Sequence, residues 1–140
     1  MTREEITAFF DRWNDAIARH DAAGVAACHA EDCVFEGPWA GTVRGREDIE
    51  EVYRSVYAAF PDMTTHVDEL LIDGDRVAQA VTNVGTDIGG FMGLPPTGKQ
   101  FRIPMVLLCT LKDQQIVSER RIYDFTGMLV QIGVLKAKPA

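Results

Sequence analysis

The hydrophobic periodicity of this chain changes at Pro61, and that change limits the folds that the chain can adopt. Before Pro61 apolar residues recur at helical spacing, whereas the segments after it alternate as β-strands do. Helices followed by a run of antiparallel strands indicate an α+β domain, with the helices packed on one face of a curved sheet. A chain of 140 residues fits one such domain, spanning 1–140.

The N-terminal half carries clear helix signals. Thr2 and Glu5 stand in the capping-box arrangement, and an apolar stripe at helical spacing follows them. Asp21 can cap a second, shorter helix. A short strand is predicted at 32–36, and a third helix is predicted over 46–60, where Pro61 ends it.

The second half predicts four strands, at 63–72, 76–87, 101–112 and 116–125. Gly74 lies between two aspartates and predicts a hairpin turn between the first two of these strands. Pro104 suggests an edge position or a bulge, because proline cannot donate a ladder hydrogen bond. Residues 127–135 could form a terminal helical turn or two.

Composition excludes several classes of partner. The formal charge is −7 and no run of residues forms a basic patch, so we expect no nucleic-acid partner. No stretch approaches the ~18 apolar residues that a membrane span needs, so no membrane partner is expected. Three scattered cysteines and a polar, acidic N-terminus indicate reduced thiols and a cytoplasmic location.

Two motifs imitate cofactor sites. Residues 93–100 match a phosphate-binding loop as far as its lysine, but two prolines remove the N–H donors of such a loop and a strand follows it. Cys28, His29 and Cys33 lie close together, yet no fourth zinc ligand is near them in sequence. Neither motif therefore predicts a cofactor site.

Three segments carry a resemblance to a known family: Val43-Arg-Gly-Arg-Glu-Asp-Ile49, Gly90-Phe-Met-Gly-Leu-Pro-Pro-Thr-Gly-Lys99, and Asp124 nine residues before Gly133. With them the whole chain resembles the SnoaL-like polyketide cyclases, within the nuclear-transport-factor-like superfamily that includes ketosteroid isomerases. The resemblance implies a cone-shaped α+β barrel with an internal hydrophobic pocket, usually dimerising through its sheet. Such a fold does not by itself fix the reaction.

Asp124 is the predicted catalytic residue. Strand alternation puts Ser118, Arg120, Ile122 and Asp124 on one face, and if that face lines the cone, Asp124 lies in an apolar cavity. Burial would raise its pKa toward the range useful for acid–base catalysis. The resemblance implies that this aspartate moves the proton in an intramolecular aldol closure, without a cofactor. The alternative is an aspartate that caps the following helix from the surface.

Four further residues are candidates for the pocket. Asp87 stands where many cyclase-like relatives carry histidine, and it could pair with the first acid or simply lie in a loop. His66 could line the cavity or be structural. Arg120 could bind a substrate carboxylate or phosphate, or lie at the surface. Trp39 could wall the cavity mouth or belong to the core.

Three functions remain open. The leading one is a cofactor-independent enzyme that performs aldol cyclisation or isomerisation on a hydrophobic carbonyl compound. The second is a non-catalytic binder of an apolar metabolite. The third is an epoxide hydrolase that uses Asp87, Arg120 and Asp124, although Arg120 and Asp124 lie about 13 Å apart along a strand. A homodimer is expected from the resemblance and from the apolar run 105–109.

Overall fold

The computed structural model describes residues 1–136. Within them lie four helices and six strands, in the order α1 (Arg3–Ala18), α2 (Ala22–Ala27), β1 (His29–Gly37), β2 (Gly41–Arg44), α3 (Arg46–Ala59), β3 (Thr64–Asp73), β4 (Arg76–Thr86), β5 (Gln100–Lys112), β6 (Gln115–Tyr123) and α4 (Phe125–Gln131). The helices α1, α2 and α3 precede Pro61, with β1 and β2 between α2 and α3, and β3 to β6 follow Pro61, as the periodicity predicts. None of the helices so described is long and apolar enough to cross a membrane.

The predicted caps form. Thr2 Oγ1 accepts a 3.1 Å hydrogen bond from the Glu5 amide, and the Glu5 carboxylate accepts a 2.7 Å bond from the Thr2 amide, which completes the capping box of α1. Asp21 caps α2 by accepting a 3.0 Å bond from the Gly24 amide. The apolar stripe of α1 is buried against the sheet, with Phe10 and Trp13 almost fully enclosed.

The six strands form one curved, open sheet in the order β2-β1-β6-β5-β4-β3. All neighbours pair antiparallel except β1 and β6, which run parallel. The α+β class and the curved sheet that we expected are therefore confirmed. The core lies between the concave face of this sheet and the helices α1 and α3.

The region around Gly37 differs from the prediction. The strand expected at 32–36 begins at His29 and ends at Gly37. The segment that we expected to be a loop contains β2, which pairs with β1 from Gly37–Gly41 to Val34–Arg44. Gly41 has a φ of +70°, which lets the chain reverse there. Because β2 has only four residues and is largely exposed, its sequence carries no apolar alternation to reveal it.

Pro104 does not place its strand at an edge. It lies in β5, between β4 and β6, and it pairs in regular register with Thr82. The pairing with β6 ends one residue later, at Met105. On that side the amide of Arg102, two residues earlier, instead donates to Gln131 of α4 over 2.7 Å. Proline is tolerated because the ladder with β6 has already ended at this point.

Candidate functional site

An apolar cavity opens between α3 and the concave face of the sheet. Its enclosed part holds about 50 Å³, and the empty space including the open mouth is about 540 Å³. The enclosed part is room for a few water-sized groups. Aromatic and aliphatic side chains from β1, α3, β5 and β6 line it, together with Phe91, Asn83 and Arg121. Phe91 belongs to residues 88–99, the covering loop, and packs against Trp39 and Phe60 with ring centres 5.2 and 5.1 Å away.

Two nitrogen donors meet beside Met105 in the lining. Arg121 Nη1 lies 3.9 Å from the Met105 sulfur, and Asn83 Nδ2 lies 3.7 Å from the same atom. A thioether is a weak acceptor, so neither donor is strongly engaged there. The cavity therefore presents a cationic N–H group and an amide N–H group within walls that are otherwise largely apolar.

A buried network fixes the other side of Arg121. Its Nε donates to Glu119 Oε2 over 2.7 Å, and its Nη2 donates to the Tyr53 hydroxyl. The same hydroxyl donates to the Glu119 carboxylate. His29 Nε2 lies 2.6 Å from Glu119 Oε1, while its Nδ1 lies 3.1 Å from the carbonyl oxygen of Val25. Held on two sides, the guanidinium has one defined orientation.

The charges of this network stabilise one another. Burial opposes ionisation of Glu119, but the Arg121 guanidinium and the His29 hydrogen bond prevail and lower its pKa to about 2. Burial, with a smaller contribution from Glu119, raises the pKa of Tyr53 well above its ordinary value, although Arg121 lowers it in part. Glu119 is therefore ionised and Tyr53 neutral near pH 7. A carboxylate with so low a pKa and with several donors is a poor proton acceptor.

Asp124 does not lie in this cavity. It is exposed and caps α4, because its Oδ1 accepts a 2.8 Å hydrogen bond from the Gly127 amide. This is the capping alternative, with the carboxylate at the surface. Asp124 directly follows Tyr123, which does line the cavity. Of the two carboxylates on or next to β6, the structure buries Glu119 and exposes Asp124.

The reversal has a structural cause in β6. The pairing between β5 and β6 shifts register near their connecting turn, because Thr110 pairs with Ser118 whereas Leu111 pairs with Ile116. The turn itself contains Asp113 and Gln114, which both have positive φ. Beyond this shift, Glu119, Arg121 and Tyr123 face the interior, whereas Arg120 and Ile122 face outward. The face that we expected to line the cone is the outer one.

Asp87 is fully buried, but it organises the covering loop and does not line the cavity. Its carboxylate accepts hydrogen bonds from the Gly90 amide at 3.2 Å and from the amide and hydroxyl of Thr97 at 3.0 and 3.1 Å. Its amide donates to the carbonyl of Lys99. Asp87 thus holds the two ends of the covering loop together.

The remaining candidates lie in different places. Trp39 is half-buried and lines the cavity beside Phe91. His66 is exposed on β3, where its Nδ1 lies 2.9 Å from Asp68. Arg120 is exposed and borders an open groove on the outer surface. Asp87, Arg120 and Asp124 therefore do not converge, and the Asp–Arg–Asp arrangement of an epoxide hydrolase is not formed.

Sequence reasoning missed the residues that carry the polar chemistry: His29, Tyr53, Asn83, Glu119 and Arg121. The available signal was the pair Glu119 and Arg121, which lie two residues apart in a strand and therefore share a face and can pair. The aromatic residue Tyr123 comes next on that face. His29 was considered only as a metal ligand. Across residues 1–136 no three metal-binding side chains lie close enough together to hold a metal ion.

The model of the family described as SnoaL-like polyketide cyclase matches residues 7–132. The chain belongs to this family. Its expected resemblance is thereby confirmed. No curated protein matches the chain.

Solved structures of other proteins have a similar fold. IdmH of Streptomyces antibioticus, described as a candidate polyketide cyclase, is 32% identical, with a TM-score of 0.77 over 91% of this chain and 97% of IdmH. AclR of Streptomyces galilaeus, described as a candidate hydroxylase, is 26% identical, with a TM-score of 0.84 over 99% of this chain and 87% of AclR. A protein of Catenulispora acidiphila with a ketosteroid isomerase-like fold is 21% identical, with a TM-score of 0.78 over 99% of this chain and 100% of its own, and shares the fold.

Proposed function

We propose that this SnoaL-like protein acts on an apolar, carbonyl-bearing small molecule and converts it by aldol cyclisation or isomerisation without a cofactor. The observation that carries the proposal is the Arg121 Nη1 donor, which reaches an apolar cavity and whose only hydrogen-bond acceptor within the described residues is the weak acceptor Met105. A ligand carbonyl oxygen is a much stronger acceptor than a thioether. It would therefore replace the sulfur contact.

The two donors suit a reaction in which charge develops on that oxygen. When a proton leaves the carbon next to the carbonyl, the C–H electrons form a C=C bond and the C=O electrons move to oxygen. Arg121 and Asn83 would stabilise this enolate in a cavity that largely excludes water. In cyclisation the enolate carbon then attacks a second carbonyl of the same molecule, and the alkoxide takes up the proton.

For the proton acceptor we propose Asp124. Among residues 1–136, the cavity lining includes no carboxylate, imidazole or thiol, and Glu119 is too acidic for this role. Asp124 follows the lining residue Tyr123 in the chain. To reach a substrate it would have to release the Gly127 amide, and breaking a helix cap costs only about 1 kcal/mol. The proposal therefore requires a small movement at the cavity mouth.

Phe91 limits what can enter. It is 4% exposed, and it packs between Trp39 and Phe60 at the mouth. The enclosed space of about 50 Å³ is smaller than a typical ligand pocket of several hundred cubic ångströms. Binding of a polycyclic substrate would need Phe91 to move, whereas a single substituted ring needs less displacement.

Hydrogen–deuterium exchange tests the proposal without knowledge of the natural substrate. Acetophenone carries one carbonyl and one exchangeable methyl group, and its exchange in D2O is followed by proton NMR. We expect the wild type to catalyse the exchange. The rate should fall at least tenfold in Asn83→Leu, which removes one donor and keeps the branched side-chain shape, and in Asp124→Asn, which keeps a capping side chain. His66→Gln, on the exposed surface, is the matched control and should exchange as the wild type does. Catalysed exchange that is equal in all four proteins would contradict the proposal.

A second candidate function is ligand binding without turnover. It is favoured by the same absence of a carboxylate, imidazole or thiol from the cavity lining. Saturable acetophenone binding that depends on Asn83, with no exchange above background, would identify this function. The exchange assay on acetophenone therefore distinguishes an enzyme from a binding protein.

We also propose that the protein is a cytoplasmic homodimer that contacts its partner copy through the outer face of the sheet. The exposed side chains Leu71 and Ile122 lie on that face, at 57% and 47% exposure, and all three cysteines are free thiols. Light scattering after size exclusion should give twice the chain mass of 15.5 kDa. Monomeric protein across the micromolar range would contradict the dimer.

A further inference from the structure

A second, smaller chamber lies behind the cavity, and its lining includes Tyr57, whose buried hydroxyl has no hydrogen-bond partner within the described residues. The chamber encloses about 20 Å³. Tyr57, from α3, is 8% exposed, and its hydroxyl has no hydrogen-bond partner among residues 1–136. A buried hydroxyl that lacks a hydrogen bond lowers stability. Such a group in a folded chain calls for an explanation.

The position of the Tyr57 ring is fixed. The ring stacks on His20 with centroids 4.4 Å apart and planes inclined by 6°. His20 in turn is held by a 2.7 Å contact between its Nε2 and the carbonyl oxygen of Met63. Tyr57 lines the chamber. Because the stacked ring cannot easily swing toward another acceptor, its hydroxyl keeps its buried position, without a partner among residues 1–136.

The chamber and the cavity are neighbours that share four lining residues: Val56, Met63, Asn83 and Arg121. Two of these four are the nitrogen donors described above. The electrostatics agree, since burial raises the pKa of Tyr57 to about 12 while the nearby Arg121 charge opposes that rise. A molecule whose carbonyl contacts Arg121 would therefore lie next to the chamber that Tyr57 lines.

We propose that this chamber is a subsite for a second oxygen atom of the ligand, a hydroxyl group that hydrogen-bonds to the Tyr57 hydroxyl. A volume of about 20 Å³ accommodates one water-sized group, such as a hydroxyl, and excludes a further ring. The ligand class is thus narrowed to hydroxylated carbonyl compounds. This inference rests on the proposed function, because the carbonyl contact with Arg121 and Asn83 sets the position of the second oxygen.

Tyr57 becomes a specificity-determining residue. A site that hydrogen-bonds a ligand hydroxyl discriminates strongly against the analogue that lacks it, because the hydroxyl of the protein then stays without a partner. Removing the tyrosine hydroxyl should abolish this discrimination and leave the binding of the simpler analogue intact.

The test compares acetophenone with its 2′-, 3′- and 4′-hydroxy isomers, each titrated by NMR into the wild type and Tyr57→Phe. We expect at least one isomer to bind the wild type tenfold or more tightly than acetophenone. In Tyr57→Phe that advantage should fall below twofold, while the Kd of acetophenone itself changes by less than twofold. Absence of any advantage in the wild type, survival of the advantage in Tyr57→Phe, or equal weakening of all four probes would overturn the proposal.

Thermal unfolding separates ligand recognition from a role in the fold. Tyr57→Phe should keep or raise the melting temperature, because it removes an unpartnered polar group. Tyr53→Phe is the matched control, and it should lower the melting temperature because its hydroxyl bonds Glu119 and Arg121. A clear loss of stability in Tyr57→Phe would mean that the hydroxyl serves the fold, through a bound water, and would overturn the subsite.

Asn83→Leu distinguishes failure of the subsite from failure of the proposed function. If acetophenone binds Asn83→Leu and the wild type equally, the carbonyl contact is wrong and the proposed function fails. If acetophenone binding depends on Asn83 but the hydroxy isomers show no Tyr57-dependent advantage, the carbonyl contact stands and the second oxygen site is wrong.

Discussion

Replacing Glu119 by glutamine should expose the energetics of the buried network. The substitution keeps the side-chain volume but removes the negative charge that pairs with Arg121 at 2.7 Å. Arg121 would then be a largely buried cation without its counter-ion. Removing one partner of a buried pair costs about 3–5 kcal/mol, because the remaining charge is no longer compensated.

The pKa of Glu119 gives an independent magnitude. Its displacement from the ordinary value of 4.5 to about 2 corresponds to about 3 kcal/mol, at about 1.4 kcal/mol per tenfold change in acidity. Because the folded-state pKa is lowered, this stabilisation is fully present above pH 4.5 and is lost as the pH falls toward 2. Glu119→Gln should therefore lower the free energy of unfolding at pH 7 by about 3 kcal/mol, or the melting temperature by about 10 °C.

Urea unfolding at pH 7, 4.5, 3 and 2 measures both effects. The difference between wild type and Glu119→Gln should be largest at pH 7 and should shrink between pH 4.5 and 2, since the other carboxylates titrate alike in both proteins. Glu69→Gln, an exposed glutamate on β3, is the control and should change stability by less than about 0.5 kcal/mol. A Glu119→Gln effect below about 1 kcal/mol, or one independent of pH, would refute the reasoning.

Two further predictions concern the other carboxylates. Asp87→Ala leaves three donors of Gly90 and Thr97 without their acceptor, so we expect the free energy of unfolding to fall by about 1–3 kcal/mol. Amide hydrogen exchange should become faster at Thr97, and unchanged exchange there would contradict a role for Asp87 in holding the covering loop. Asp124→Ala should cost about 1 kcal/mol through loss of the α4 cap, whereas Asp124→Asn should cost almost nothing; equal thermal stability of the two variants would argue against the cap.

The helices and the β3–β4 hairpin were predictable because local signals determine them. The capping box at Thr2, the stop at Pro61 and the turn at Gly74 all act over a few residues, and their elements form where predicted. β2 was missed because it is short and largely exposed. Pro104 suggested an edge strand or a bulge, but β5 lies inside the sheet. Proline is tolerated there because β6 ends one residue short of it, and the end of β6 is set by tertiary structure that the local sequence does not show.

The site was less predictable for a related reason. Which face of β6 lines the cone depends on a register shift opposite Ile116, and a displacement of one residue exchanges the two faces. Alternation alone therefore put Asp124 inside and Arg121 outside. Trp39, which the sequence left open between the cavity mouth and the core, lines the cavity just beyond the end of β1. The partners of Arg121 come from β1, α3 and β6, and no local pattern joins these segments.

The central claim, that the cavity binds and polarises a carbonyl group, is tested most directly by the carbonyl stretching frequency of bound acetophenone. The acetophenone is labelled with ¹³C at the carbonyl carbon, and the frequency is measured by difference infrared spectroscopy. If Arg121 and Asn83 hold the carbonyl oxygen, the stretch should shift to lower frequency than in hexane, and the shift should diminish in Asn83→Leu. A frequency equal to that in hexane, or no saturable binding to the wild type, would contradict a cavity built to polarise a carbonyl group.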